Sequence, residues 1–193
     1  MKDTTRREFV IGASTCVGLV ALGGISKTFA ADGVLLRPPG GQNEARLRSL
    51  CVKCDRCRSV CPRNCVEPAS ITDGILEARL PVLNFHHGYC DFCDRCIEVC
   101  PTDALVAFDP YSEKLGVAQV DRESCIAYSR GTCVVCKGSC PFEALVFDDA
   151  GRPTVREDLC NGCGKCVMAC NVNVNRTFED TGKRAIEVIP KVG

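Results

Sequence analysis

The chain has few of the residues that usually build a large apolar core or a charged binding surface. In 193 residues it contains no tryptophan, two methionines, eight phenylalanines and three tyrosines. Its 24 lysines and arginines are balanced by 24 aspartates and glutamates, and without a basic excess there is little to neutralise a nucleic-acid backbone. No phosphate-binding loop, dinucleotide fingerprint, nucleophile with a partner base or haem-attachment motif occurs. The sequence therefore indicates neither a nucleic-acid partner nor a substrate site of its own.

Cysteine is the residue that the chain has in excess, with 18 copies. Such a density is typical of a disulfide scaffold, a set of zinc sites or iron–sulfur clusters. Because each of these chemistries needs a different spacing between cysteines, the positions of the cysteines along the chain distinguish them.

The cysteines recur in four runs, at residues 51–61, 90–100, 125–140 and 160–170. Three runs follow C-x2-C-x2-C-x3-C, and the third widens its first gap to seven residues. In bacterial ferredoxins this spacing binds 4Fe-4S clusters, with three cysteines of a run on one cluster and the fourth on the neighbouring cluster. The runs therefore predict four 4Fe-4S clusters. Their predicted iron ligands are Cys51, Cys54, Cys57, Cys61, Cys90, Cys93, Cys96, Cys100, Cys125, Cys133, Cys136, Cys140, Cys160, Cys163, Cys166 and Cys170.

Zinc and disulfides fit these runs poorly. A zinc site built from paired C-x2-C units leaves the third cysteine of every run without a role. A disulfide network would have to bridge cysteines two residues apart, and the chain after residue 30 holds an odd number, 17. A zinc-stabilised interaction module remains the least favoured class.

Local sequence predicts how each run folds. We expect the fourth cysteine at the start of a following helix, facing away from the first three. Gly138, Gly162 and Gly164 are expected to adopt the left-handed backbone that brings N–H groups towards sulfur.

Residues 1–30 have the pattern of an export signal. A basic stretch precedes an apolar run from about Phe9 to Ile25, which contains four glycines and Cys16, and small residues follow up to Ala30. The segment from Thr5 to Val10 carries paired arginines and resembles the twin-arginine export signal. We expect cleavage after Ala30 and a periplasmic protein, peripheral on the membrane. The alternative is an uncleaved anchor, for which the apolar run is short.

A twin-arginine signal ahead of four such runs resembles the NapG/MauM-type ferredoxin family over nearly the whole chain. The resemblance implies a periplasmic quinol dehydrogenase component, exported with its cofactors in place. Its donor would be a membrane-bound quinol-oxidising iron–sulfur protein, and its acceptor a periplasmic redox protein such as a nitrate reductase or its haem subunit. The alternative is a permanently bound electron-transfer subunit of a periplasmic molybdopterin oxidoreductase.

The expected fold is α+β and ferredoxin-like, with two pseudo-symmetric modules of two clusters each, built from short strands and short helices. The predicted organisation is a signal peptide at 1–30, an N-terminal linker at 31–50, a four-cluster domain at 51–178 and a C-terminal tail at 179–193.

The connections between runs leave two pairings open. After runs two and three, each connection reads as two short strands around a turn, whereas the first connection carries Pro68 and Pro81 and fits less well. This asymmetry favours a nested arrangement, in which runs one and four enclose runs two and three. Cys170 would then join the first three cysteines of run one, and Cys140 those of run two. The sequential pairing of one with two and three with four is the alternative.

A few residues stand outside this scheme. Cys65 is the mature cysteine beyond the sixteen ligands, and we favour a small buried thiol over a substitute ligand or a residue that tunes nearby chemistry. His86 and His87 are interpreted as surface groups. Tyr128 and Arg130 lie in the widened gap of run three, which is either a docking loop or an inert insertion. Asn171 occupies the place where the other runs have proline, which puts the backbone there in doubt.

Overall fold

The computed structural model describes residues 34–131, 133–174 and 184–190. The predicted export signal and its Cys16 lie outside these residues. Ala69–Arg79 belong to one compact unit, while Val34–Pro68 and the residues from Leu80 onwards form another, which contains all four cysteine runs. Among the residues described, no helix has the length and apolar character needed to span a bilayer.

The helices are short, as the cysteine spacing demands. In the described part of the chain, the α-helices are α1 (Glu44–Leu50), α2 (Arg56–Ser59), α3 (Arg95–Glu98), α4 (Ile126–Arg130) and α5 (Lys165–Ala169), and 3-10 helices span Ile71–Asp73 and Val135–Gly138. Residues 171–174 are also helical.

Helix α1 precedes run one and is anchored from both ends. The Asn43 side chain accepts a hydrogen bond from the N–H of Arg46 and so caps its first turn. Leu47 is completely buried. Nearby, the buried Arg37 guanidinium pairs with Glu44, with 2.7 Å between Nε and Oε1. The segment predicted as a linker thus contains a helix and a partly buried ion pair.

Three two-stranded antiparallel sheets complete the fold. Strand β1 (Val66–Pro68) pairs with β2 (Pro81–Leu83), β3 (Val117–Val120) pairs with β6 (Ile186–Ile189), and β4 (Leu145–Phe147) pairs with β5 (Pro153–Val155). The mixture of short strands and short helices agrees with the α+β expectation.

The first connection forms a hairpin despite its prolines. Pro68 and Pro81 face each other at the last pair of the β1–β2 ladder. Proline lacks an N–H and is tolerated at such an end, so these residues mark where Ala69–Arg79 departs from the sheet.

The second connection does not form the expected hairpin. Its strand β3 pairs instead with β6, in register from Val117 opposite Ile189 to Val120 opposite Ile186. These two strands lie on either side of runs three and four in sequence. The segment predicted as a C-terminal tail therefore contributes a strand to the fold.

Cysteines form part of the core. The main buried cluster combines Phe85, Phe108, Val167 and Ile186 with the thiols of Cys65, Cys90, Cys160 and Cys166. A chain with few aromatic residues can therefore build its interior around sulfur.

Candidate iron–sulfur centres

Left-handed residues alternate with cysteines in three of the runs. The second and fourth residues after the first cysteine have positive φ, which curls each loop so that its thiols face one centre and its N–H groups turn inward. These residues are Lys53 (56°), Asp55 (60°), Phe92 (55°), Asp94 (55°), Gly162 (79°) and Gly164 (78°).

Only run four uses glycine at these places, and close packing explains it. A Cβ atom at Gly162 would lie 2.5 Å from the backbone nitrogen of Gly116, and one at Gly164 would lie 2.4 Å from Cδ1 of Phe85. The expectation for Gly138 is wrong, because this residue ends the 3-10 helix Val135–Gly138 and is absent from the glycines with positive φ.

The third cysteine of each run lies in a helical turn, and the fourth follows the end of that turn. Cys57 lies in α2 and Cys61 comes after its C-cap, Val60. Cys166 lies in α5, and Cys170 is the C-cap itself. The expectation of the fourth cysteine at the start of a helix is met in run four, where Cys170 directly precedes the helical residues 171–174, and is wrong in the other three runs, where the fourth cysteine precedes a turn.

The structure brings the sixteen predicted ligands into four groups of four thiols. Three of the groups surround cavities, and these are groups B, C and D. In group A, three of the thiols pack against the apolar cluster around Leu47, and Cys54 is close enough to Cys57 to affect its pKa. Group A is Cys51, Cys54, Cys57 and Cys100; group B is Cys61, Cys90, Cys93 and Cys96; group C is Cys140, Cys160, Cys163 and Cys166; group D is Cys125, Cys133, Cys136 and Cys170.

The nested pairing of the runs is therefore wrong. Cys170 joins run three, and Cys140 joins run four. Runs one and two likewise exchange their fourth cysteines, Cys61 and Cys100. The cause is the hairpins: β1–β2 spans the connection between runs one and two, and β4–β5 spans that between runs three and four.

Burial differs between the groups. Cys90 and Cys96 of group B and three thiols of group C are buried, whereas no thiol of groups A or D is fully buried. Cys54 of group A is exposed.

The buried thiols resist ionisation while no cation is bound. Burial raises the pKa of Cys96 to about 12, and the nearby thiolates of Cys90 and Cys57 add to the effect. Burial also raises the pKa of Cys163 to about 11. Groups of thiols with such a cost of ionisation need cationic partners to hold them as thiolates.

Backbone N–H groups donate to several of the sulfurs. The N–H of Ala118 lies 3.4 Å from Sγ of Cys160, and that of Ala144 lies 3.3 Å from Sγ of Cys140. Burial acts to raise the pKa of Cys100, but N–H donors, including those of Leu105 and Ala104, lower it overall. Such donors tune iron–sulfur sites in proteins.

The four groups follow one another in space in the order A, B, C, D. Cys57 of group A is near enough to Cys96 of group B to raise its pKa. The N–H of Cys90 donates to the carbonyl of Cys163 at 2.8 Å and joins groups B and C. Cys136 of group D likewise raises the pKa of Cys166 in group C, after the larger effect of burial.

Cys65 lies beside group B. It is 1 % exposed, its Sγ is 3.7 Å from Sγ of Cys61, and it lines the cavity of group B. The structure confirms that this thiol is buried. The cavity thus has five thiols around it, one more than a cluster needs.

The histidines lie apart from these groups. His87 is exposed and lies 3.9 Å from Glu67. Burial lowers the pKa of His86, and neither residue lines a thiol cavity described here.

The widened gap of run three is folded against the protein. It forms α4, and the Tyr128 hydroxyl donates to the carbonyl of Pro153 at 3.0 Å. Arg122 and Arg152 lie over the Tyr128 ring, with 5.5 and 5.9 Å from the guanidinium carbon to the ring centroid. The insertion is therefore attached to β5 next to group D.

Sequence reasoning missed the role of Asn173. This buried side chain donates to the carbonyls of Val167 and Ile186 and accepts from the N–H of Ala185. It ties the end of run four to β6 and so holds Cys170 in place, although Asn171 replaces the usual proline. A buried asparagine cannot be told from a surface one by sequence pattern alone.

Comparison with known proteins identifies the family. The 4Fe-4S dicluster domain matches residues 50–104, and a 4Fe-4S binding domain matches residues 152–175. The ferredoxin-type protein NapG of Escherichia coli K12 is 36 % identical over 188 residues, which cover 88 % of this chain and 79 % of NapG. The chain belongs to the NapG, NapF and MauM group of ferredoxin-type proteins.

Two further members of this group align over most of their length. The methylamine utilization ferredoxin-type protein MauM of Methylorubrum extorquens AM1 is 32 % identical, over 98 % of this chain and 91 % of MauM. The ferredoxin-type protein NapF of Haemophilus influenzae is 30 % identical, over 90 % and 93 %. The dicluster match spans runs one and two together, which agrees with groups A and B being built from those two runs.

Proposed function

We propose that this ferredoxin-type protein carries four 4Fe-4S clusters and relays electrons through them in the order A, B, C, D, in either direction. The observation that carries the proposal is the arrangement of sixteen thiols in four successive groups, with the more exposed groups at the two ends.

The donor set of each group fits a 4Fe-4S cluster. Each group offers four thiols, the soft ligands that iron–sulfur clusters use. Within the part of the chain that the structure describes, no three Cys, His, Asp or Glu side chains converge tightly enough to hold a single metal ion. When bound, a cluster of this type accepts and releases one electron at a time.

The chain's own residues supply the setting for that transfer. Backbone donors at Cys140 and Cys160 stabilise negative charge on sulfur. Five of the eight thiols of groups B and C are buried and would be shielded from water, whereas Cys93 of group B is exposed. The half-exposed groups A and D leave a short path to a partner at each end.

The proposal includes two ferredoxin-like modules with one pattern. Each has a hairpin between its two runs, β1–β2 or β4–β5. Strands β3 and β6 flank the second pair of runs. Around runs one and two, the N–H of Leu83 donates to the carbonyl of Leu36, and the N–H of Val106 donates to the carbonyl of Gly40. The segment before run one is therefore hydrogen-bonded to the residues before and after run two.

The cellular role that we propose is periplasmic. Residues 1–30 would direct export by the twin-arginine route, residues 51–178 would form the four-cluster domain, and the protein would be peripheral on the membrane. A membrane-bound quinol-oxidising iron–sulfur protein would be the donor, and a periplasmic reductase or its haem subunit would be the acceptor. The resemblance of residues 5–10 to a twin-arginine signal supports the location.

Iron and acid-labile sulfide analysis of anaerobically purified protein tests the cofactor count. Four clusters predict about sixteen of each per chain. A value of about eight or fewer in protein with all sixteen cysteines intact would contradict the proposal.

Copurification distinguishes a mobile relay from a bound subunit. A relay protein is expected to purify alone from periplasmic extract, whereas a subunit would be recovered with a large molybdopterin protein. Replacing Arg6 and Arg7 by lysine should leave the protein in the cytoplasm, and unchanged export would refute the twin-arginine assignment.

A further inference from the structure

Three Cys-Pro turns of this chain share one backbone conformation, and one of them buries a cysteine where the other two bury an alanine. In each, the residue three places after the fourth cysteine of a run has a φ of 52°, and the next residue is buried. The left-handed residues are Asn64, Asp103 and Glu143, and the buried residues that follow them are Cys65, Ala104 and Ala144.

Cys65 therefore occupies a position that alanine fills twice elsewhere. Ala104 and Ala144 are 2 % and 1 % exposed, and Cys65 is 1 % exposed. Alanine satisfies the packing at this place in the fold, so burial alone does not account for the sulfur atom of Cys65.

The extra sulfur points into group B. Its Sγ lies 3.7 Å from Sγ of Cys61, a thiol–thiol hydrogen-bonding distance, and it lines the same cavity as Cys90. Among the described residues, the cavities of groups C and D are lined by their own four thiols alone. The fifth thiol is thus particular to one of the two inner groups.

We propose that Cys65 is not an iron ligand but an S–H donor to the ligand sulfur of Cys61, which makes group B easier to reduce. The inference rests on the proposed function, since it requires a cluster at group B. A reduced cluster places more negative charge on its sulfurs, and a donor aimed at them stabilises that state. Cys65 is a positioning residue in this sense, because it acts through the ligands.

The expected size of the effect follows from one net hydrogen bond. About 1 kcal/mol corresponds to a change of roughly five- to tenfold in the reduction equilibrium, and tenfold is about 59 mV for a one-electron couple.

The test is a redox titration of the full cluster-loaded protein, followed by electron paramagnetic resonance, in which Cys65→Ala is compared with the unaltered chain. Cys65→Ala introduces the residue of the two matching turns, so we expect full iron content. One redox couple should move to a more negative potential, and its reduction equilibrium should become less favourable by up to about tenfold. Cys65→Ser keeps a donor and should leave that couple close to its original potential.

A reciprocal variant gives an independent measurement. Ala144→Cys places a thiol at the matching turn beside Cys140 of group C, and it should make a different couple easier to reduce. It remains informative even if Cys65→Ala fails to fold.

The outcomes separate the two proposals. If the unaltered protein lacks the full iron complement, the proposed function fails. With full iron, unchanged couples in both Cys65→Ala and Ala144→Cys would overturn the donor role. A loss of about four irons in Cys65→Ala would show that Cys65 is itself a ligand, and this too would overturn it.

Discussion

Groups A and D at the ends of the series differ from groups B and C in its middle. The end groups have no fully buried thiol, whereas five of the eight thiols in the middle groups are buried. The middle thiols belong to the main apolar core, where Cys90, Cys160 and Cys166 pack with Phe85 and Val167. For the clusters proposed above, we infer from this contrast that binding is coupled to core formation in groups B and C more strongly than in groups A and D.

The largest expected effect is that of removing all iron. Without cations, the middle thiols must stay protonated in the core, because burial raises the pKa of Cys96 to about 12 and that of Cys163 to about 11, and the cavities lose their contents. We expect apo-protein to lose stable tertiary structure, seen as loss of near-ultraviolet circular dichroism and of amide-exchange protection. Cooperative, native-like melting of the apo-protein would contradict this.

Substitution of single ligands should separate the middle from the ends. Cys163→Ser removes a buried thiol of group C, in a residue whose backbone carbonyl accepts a hydrogen bond from the N–H of Cys90. We expect loss of iron from group C together with a lower thermal midpoint. Cys54→Ser removes an exposed thiol, and we expect a loss confined to group A. Iron content and the thermal midpoint measure both. Equal destabilisation by the two variants would show that the contrast in burial has no energetic meaning.

Substitutions at matching left-handed positions of groups C and A should have smaller effects on stability, and these effects should again differ between the two groups. Gly162→Ala in group C would put Cβ 2.5 Å from the backbone of Gly116 at a φ of 79°, so we expect a loss of about 2–4 kcal/mol from overpacking and left-handed strain. Lys53→Gly changes the matching residue of group A, where φ is 56°. We expect it to alter stability by less than about 1 kcal/mol, because relief of strain is offset by a more flexible unfolded chain. Denaturant-induced loss of visible absorption compares the two.

The smallest predicted effect lies at the edge of group D. Tyr128→Phe removes the hydrogen bond to the carbonyl of Pro153 but keeps the ring beneath Arg122 and Arg152. We expect a loss of about 0.5–1.5 kcal/mol, with the iron content unchanged. Loss of iron from this variant would show that α4 is needed to close group D.

The sequence predicted which three cysteines of each run share a centre better than it predicted which fourth cysteine completes that centre. Three cysteines separated by two residues can only face one centre, and the structure groups them so in runs one, two and four. The partner of each fourth cysteine depends on long-range strand pairing. The hairpin between runs one and two is hard to predict because Pro68 and Pro81 resemble interruptions of a strand, although they lie at the end of the β1–β2 ladder.

Two elements could not be found from local pattern, for different physical reasons. β6 is a four-residue strand, and its alternation of buried and exposed residues becomes meaningful only once β3 lies beside it. Asn173 is polar, and its burial is possible only because three backbone groups satisfy its amide. By contrast, the correspondence of Cys65 with Ala104 and Ala144 is readable directly from the repeated Cys-Pro turns.

The pairing of β3 with β6 has a consequence for the order of events during synthesis. The hairpin between runs one and two is complete once Leu83 has emerged from the ribosome, and run two follows soon afterwards. The sheet that flanks runs three and four needs Ile186–Ile189, which are translated last among the described strands. For the four clusters proposed above, iron delivery to groups A and B would begin on the nascent chain, whereas groups C and D would acquire their full enclosure only after translation has passed β6.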